Sequence, residues 1–526
     1  MLVVDQRNRI PLGQVFTNFY VLSQVVSLGL RHKYVVLVGC LLLAACGGGG
    51  SSAPDPVVVV PPIPVAPPSQ WVPGQYEPAS NYENICANPR SNSEYQDTPG
   101  SVVDENFWIR SFSHDTYLWY RELADIDPNT VDSNLEYFAL LKTDAVTPSG
   151  NPKDAFHFTY DTEEWKRLSQ SGISAGYGME LAILKSAPPR SILVAFTEPN
   201  SPASENGISR GAELVEVDGE LVESGDADIL NAGLFPQTLG EQHKFVIRDL
   251  GSSTPRTVTL VSSEITSIAV QNTKTLTVGN KRIGYMTFND YLGESERLLR
   301  EAVIQLASTS IDELVIDMRY NGGGYLDIAA ELGYMVVGDA SIGKVFQETV
   351  FNDKYTVYNP ITGRLLAPTN FLSKASGFSV SQGTQLPTLN LPRVFVLTGG
   401  GTASASEAFI NGLRGIDVEV VIIGQTTRGK PYGFYGIDNC GTTYFTIQFR
   451  GENAKGFGDY ADGFIPSDTD DMFGANVRGC VVADDFSHAL GDPLEARLAA
   501  SAACFSLQMT SPSSQTRIFS ASTRRR

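Results

Sequence analysis

Residues 394–430 read VFVLTGGGTASASEAFINGLRGIDVEVVIIGQTTRGK, and the order of residue types in this stretch sets the architecture. An apolar run at 394–397 reads as a buried strand. It enters the glycine turn Gly399-Gly400-Gly401, and residues 405–413 follow with helical spacing. A second apolar run at 418–423 is a further strand, which leads to Gly429-Lys430. The same alternation extends upstream, with strands expected at 283–288 and 314–318 and helices at 294–306 and 328–336. Strands alternating with helices of this length predict an α/β layer arrangement.

Two glycine-rich turns carry the chemistry. The first is DMRYNGGG at 317–324 and the second is LTGGGTASASE at 397–407. Neither is a phosphate loop, because no GxxxxGK[ST] is present and no GxGxxG with a following acidic residue completes a dinucleotide site. Glycine instead lets backbone N–H groups approach a ligand closely, and such groups stabilise an oxyanion without adding a charge. Ser404 falls at the start of the helix after the second turn, where orphan amides and the helix dipole favour developing negative charge. A nucleophilic serine needs a base. No GxSxG elbow is present, and His114, His157, His243 and His488 are scattered without a triad pattern. Lys430, just beyond the next strand, is the stronger candidate. At its usual pKa of about 10.4 a lysine is charged and cannot take a proton. Bringing it to about 7.5 costs roughly 4 kcal/mol, which desolvation beside Tyr432 and Phe434, together with Arg428, would supply. Ser404 and Glu407 also have capping-box spacing, so an N-cap is the structural alternative for that serine.

The RxNGGG turn, the TASASE block and the GxxxxGK segment, in this order, resemble the C-terminal processing, or tail-specific, serine peptidase family. The resemblance covers residues of about 100–500 and is strongest in these three segments. It implies Ser404 as nucleophile, Lys430 as general base, and the backbone N–H groups of Gly323 and Ala405 as oxyanion donors. It implies a core of the crotonase/ClpP-like α/β kind. Family members often carry a glutamine four residues past the lysine; here that position is Phe434, which leaves the third catalytic group open. No CxxC or Cys/His cluster suggests a metal, and no cofactor is expected.

Residues 169–265 differ in character, with short strands bounded by turns. The stretch GYGMEL at 176–181 and the block SPASENGISRGAELVEVDG at 201–219 resemble a PDZ domain. In such a domain a glycine-flanked loop offers N–H groups to a peptide carboxylate while the adjoining strand accepts the peptide as an extra strand. Tyr177, Gly178, Met179 and Leu181 are the candidate peptide-binding residues. Ahead of it, residues 106–123 (NFWIRSFSHDTYLWYREL) place aromatics at helical spacing, with a short second helix at 134–141, so residues 80–168 read as an N-terminal helical domain.

The beginning of the chain reads as an export segment. Residues 34–45 (YVVLVGCLLLAA) follow Arg31, His32 and Lys33, and at about a dozen residues are too short to span a bilayer. Leu43-Ala44-Ala45-Cys46 resembles a bacterial lipobox, which implies cleavage before Cys46, acylation of that cysteine and attachment to a membrane facing the periplasm. Gly47 after it favours the outer membrane over the inner. A Gly/Ser and then Pro/Val-rich stretch at 46–79 is a tether. Cys86, Cys440, Cys480 and Cys504 remain for an oxidising compartment, with three possible pairings.

The 526 residues are 42% hydrophobic and carry 39 Lys and Arg against 58 Asp and Glu, a net charge of −19. This excludes a general nucleic-acid binder, which needs clustered cations, and the composition excludes a disordered chain. Expected overall is a multidomain α+β protein: signal peptide at 1–45, tether at 46–79, helical domain at 80–168, PDZ-like β-domain at 169–265, peptidase core at 266–506 and a disordered tail at 507–526. The function expected is a serine endopeptidase of the cell envelope acting on protein or peptide substrates, with an adaptor protein as a further candidate partner. The alternative is an inactive PDZ-containing envelope scaffold.

Overall fold

The computed structural model describes residues 70–471 and 474–507. The export segment, Cys46, nearly all of the tether and the tail beyond residue 507 lie outside the described residues. Among the described residues no helix is long and apolar enough to cross a membrane.

A seven-stranded sheet forms the centre. Its order is Val270–Val278, Lys281–Phe288, Glu313–Asp317, Arg393–Thr398, Glu419–Gly424, Asn476–Val481 and Ile465–Ser467. The first pair is antiparallel and every other pairing is parallel. Strands of a parallel sheet are covered on both faces and so read as unbroken apolar runs. Successive residues serve opposite layers. Leu314, Ile316, Val394, Val396, Val420 and Ile422 pack into the large core under the helices Ser295–Ser308, Leu326–Val337 and Ala405–Gly415. Val315, Phe395, Leu397, Val421 and Ile423 face the other way, against Leu498 of the helix Ala496–Leu507.

The PDZ-like sheet runs in the order Arg256–Val261, Gln242–Arg248, Glu213–Val217, Ser191–Thr197 and Met179–Lys185, with Glu220–Leu221 paired beside the middle strand. Met179–Lys185 is an edge strand. A helix at Ala227–Leu234, not expected from the sequence, packs Leu230 and Leu234 into the core of this unit. Pro202–Glu205 is a short helix inside a region expected to be strands and turns, capped by Ser201. The strands Ile173–Gly176 and Ser263–Thr266 pair as chain enters and leaves the unit, forming a two-stranded neck.

The N-terminal segment is not separate from the core. Its main helix is Val102–Thr116, capped by Ser101 and Asp104. The expected helix through residue 123 stops at Tyr117, because that residue is held by tertiary bonds. Its hydroxyl donates to Asp154 Oδ2 at 2.7 Å and accepts from Thr143 N at 3.1 Å, while Leu118 N donates to Ile447 O at 2.8 Å. Phe158–Asp161 pairs with Thr442–Phe445 of the core, and a disulfide joins Cys86 to Cys440.

Candidate active site

Three turns converge at the carboxyl ends of neighbouring parallel strands, the usual site of ligand binding in an open α/β sheet. Residues 318–324 follow Glu313–Asp317, residues 399–404 follow Arg393–Thr398, and residues 425–430 follow Glu419–Gly424. Backbone bonds tie them together. Ala403 N donates to Asn321 O at 3.0 Å, Arg428 N to Thr402 O at 2.8 Å, and Thr402 Oγ1 to Met318 O at 2.7 Å. Glycine is required where these turns meet other backbone: a Cβ on Gly429 (φ +84) would lie 2.3 Å from Ala461 O, and one on Gly324 (φ +137) 2.3 Å from Tyr291 O.

Ser404 precedes the helix Ala405–Gly415 with φ 55° and ψ −114°. A left-handed φ in a residue with a Cβ is strained by about 1–3 kcal/mol and persists only where its surroundings enforce it. The enforcing group is Glu407. Its fully buried carboxylate accepts from Ser404 N at 2.9 Å and Lys430 N at 2.8 Å on Oε2, and from Gly429 N at 2.7 Å and Thr427 Oγ1 at 2.6 Å on Oε1. One carboxylate thus holds the serine and lysine turns side by side. The spacing Ser404-x-x-Glu407 signalled half of this, as a capping box; the bonds to residues 427–430 left no sequence pattern.

Lys430 is 1% exposed. Its Nζ lies 4.4 Å from the ring centre of Phe434 and 5.0 Å from that of Phe156. Burial is the main cause that brings its pKa down to about 7; Glu407 and Asp154 oppose the fall, and Arg428 adds to it. Phe434, where the glutamine was absent, belongs to an aromatic cluster with Tyr117, Phe156, Phe158 and Phe445. Of the two expected desolvating rings, Phe434 contacts the lysine, whereas Tyr432 packs edge-on against Trp119 at 4.8 Å. Phe156 gave no signal, being far away in sequence.

The oxyanion candidates fare differently. Ala405 N is an orphan at the helix start and makes no hydrogen bond among the described residues. Gly323 N donates to Asn321 Oδ1 at 2.9 Å, so this N–H is already engaged. The neighbouring N–H of Gly322 makes no hydrogen bond among the described residues.

The peptide-binding candidates line a pocket between the PDZ-like unit and the core. Tyr177, Gly178, Met179 and Leu181 form its wall with Glu180, while Asn289 and Tyr320 come from the core side. Tyr177 is itself buried, its hydroxyl donating to Gly233 O at 3.2 Å. Two glutamates also line it. Burial and mutual repulsion push Glu180 up to about 8, and burial pushes Glu198 up to about 7. Among the described residues no group of three or more His, Cys, Asp or Glu side chains is arranged to hold a metal. His157, expected at the surface or in a cap, is buried, with Nε2 2.8 Å from Phe138 O and its ring stacked on Phe138.

The layered sheet with its appended β-unit defines a multidomain α+β protein with the fold of S41 proteases. A crystal structure from Bacteroides fragilis described as an S41 protease superposes over 80% of this chain and all of its own, with a TM-score of 0.56 and 21% identity. Residues 282–433 match the model for peptidase family S41. The chain is 24% identical over 275 residues to a chloroplastic C-terminal processing peptidase of Tetradesmus obliquus, covering 50% of this chain and 53% of that protein. It is 23% identical over 270 residues to a carboxyl-terminal-processing protease of Picosynechococcus, covering 50% and 56%. The chain spans about half the length of the curated relatives it matches.

Proposed function

We propose that this chain is a serine endopeptidase of the cell envelope that hydrolyses protein substrates with Ser404 as nucleophile and Lys430 as general base. The observation that carries the reading is the shared Glu407 carboxylate, which binds Ser404 N and Lys430 N on one oxygen beside a lysine whose pKa is near 7. A neutral Lys430 takes the Ser404 proton as Oγ attacks the peptide carbonyl. The N–H groups of Ala405 and Gly322 bind the oxyanion, the ammonium returns its proton to the departing amine, and water repeats the sequence on the acyl-enzyme. Substrates dock by adding a strand to the edge Met179–Lys185, with their carboxyl termini toward the loop at Tyr177 and Gly178. Lipidation at Cys46 anchors the enzyme, with the outer membrane as its location.

The test is cleavage of casein or of tailed peptides by the wild type and by Ser404→Ala and Lys430→Ala. Loss of about 10³-fold or more in kcat in both variants, with peptide binding retained, is expected. Equal turnover in all three would sink the dyad, and a wild type that binds peptides without cutting them would favour the scaffold alternative. Globomycin-sensitive processing and palmitate labelling, both lost in Cys46→Ala, check the anchor.

A further inference from the structure

The edge strand Met179–Lys185 presents its side chains to two sides. Met179, Leu181 and Ile183 pack toward the core of the PDZ-like unit, so Glu180 points the other way, because successive strand residues alternate between faces. Its cross-strand partner is Phe196, whose ring lies 5.9 Å from that of Tyr320 in the peptidase core. Glu198 follows two residues on. Glu180, Glu198, Phe196 and Tyr320 all line the cleft between the PDZ-like unit and the core.

The charge in this cleft is unbalanced. Among the described residues no Lys, Arg or His lines it. The Glu180 carboxylate makes no hydrogen bond or ion pair among the described residues, and it is repelled by Glu198. Glu198 is held in place, its Oε2 accepting from Ile268 N at 3.2 Å and from Gln271 Nε2 at 3.0 Å. Asn289, on the opposite wall, is 6% exposed and its Nδ2 has no hydrogen-bond partner. A buried donor without an acceptor is costly, so this amide marks a place where an incoming chain supplies a carbonyl. Two carboxylates beside two aromatic rings suit a long aliphatic stem that ends in a cation.

Register fixes which residue carries that stem. A strand added to the free edge of Met179–Lys185, with its carboxyl terminus at the loop of Tyr177 and Gly178, runs antiparallel to it. Its last residue lies beside Met179 and its penultimate residue beside Glu180. Residues directly opposite in such a pair send their side chains to the same face. The last side chain therefore enters the apolar side, near Leu234 and Phe235, and the penultimate one enters the acidic cleft.

We propose that the groove of the PDZ-like unit selects protein tails whose penultimate residue is lysine or arginine, with Glu180 and Glu198 as the carboxylates that determine this specificity. This deepens the strand-addition reading of the groove and rests on it.

The experiment is fluorescence anisotropy on Ser404→Ala, which spares the peptides from cleavage, at pH 8.5, above the values of about 8 and about 7 to which burial brings Glu180 and Glu198. Labelled peptides with a free carboxyl terminus differ only in a penultimate lysine, arginine, norleucine or glutamate. The lysine and arginine peptides should bind about tenfold or more tighter than the norleucine peptide, and the glutamate peptide weakest. Moving the lysine one position toward the amino end should abolish the gain. Adding Glu180→Gln should bring the lysine and norleucine peptides to within about twofold without weakening the norleucine peptide, and Glu180→Lys should make the glutamate peptide the tightest. Equal Kd for lysine and norleucine overturns the proposal, as does a lysine preference that survives Glu180→Gln with Glu198→Gln. If these further variants do not fold, the peptide series on Ser404→Ala decides alone. Failure of all four peptides to bind overturns the strand-addition reading beneath it.

Discussion

The pair Glu407 and Lys430 shows how a buried carboxyl group and a buried amine share a site. Replacing Glu407 by glutamine puts an NH₂ group against two N–H donors, so two turn bonds are lost. Glu407→Gln is expected to lower stability by about 2–4 kcal/mol and kcat by about 100-fold, as read from urea unfolding and turnover. Lys430 itself is costly. Its pKa falls from 10.5 to about 7 on folding, so between these values the unfolded chain binds more protons than the folded one and stability rises with pH across that window. Below pH 7 both states are protonated at this group and the burial cost is full. Lys430→Met should therefore be more stable than the wild type at pH 6–7, by a few kcal/mol in order of magnitude, with the gain shrinking toward pH 10. Equal denaturation midpoints at both ends of the range would contradict this. At this scale the sequence pointed to Ser404 and Lys430 through the blocks around them and foresaw desolvation by Phe434. Glu407's bonds to residues 427–430 and the cover by Phe156 were not legible, because each depends on a contact between segments apart in the chain.

Among the elements, the strands and helices of the core were legible because parallel strands are apolar throughout and their helices are long. The strand expected at 418–423 is Glu419–Gly424, and the helix expected at 405–413 is Ala405–Gly415. The helix Ala227–Leu234 was missed for the opposite reason: at eight residues it makes barely two turns and offers too short a period. The helix through residue 123 was overestimated since aromatics at helical spacing look alike whether they line a helix or turn back into a core. The PDZ-like pocket gives a prediction at this scale. With Glu180 raised to about 8 and Glu198 to about 7, lowering the pH protonates both and removes repulsion toward a peptide carboxylate. Peptides with a free carboxyl terminus should bind more tightly at pH 6 than at pH 8.5, and amidated ones should lose most of this dependence. Fluorescence anisotropy on Ser404→Ala measures both.

Across the whole molecule, Arg210 ties the PDZ-like unit to the glycine turn at 318–324. Arg210 Nη1 donates to Tyr320 OH at 2.7 Å and to Ala195 O at 2.8 Å, and Arg210 Nε donates to His488 O at 3.0 Å. Tyr320 OH donates to Asp484 Oδ2 at 2.6 Å, and Asp484 Oδ1 pairs with the buried Arg319, itself held by Asp317 and Glu495. Arg210→Ala is expected to lower kcat while leaving the affinity of groove peptides unchanged; parallel losses in both would show that it only holds the unit together. None of this network could be read from sequence, since its members span residues 210 to 495.

The disulfide between Cys86 and Cys440 closes a loop across a separation of 354 residues, and the pairing of residues 158–161 with 442–445 closes another. Contacts of such range form slowly, because the intervening chain must be ordered first. The Phe156 ring covers Lys430 Nζ from the N-terminal side of this closure, so the dry environment of the lysine waits for synthesis past residue 445. A ribosome-bound or partly folded chain lacks the cover that lowers the pKa of this amine, and the same closure that completes the molecule sets the time at which Lys430 becomes dry.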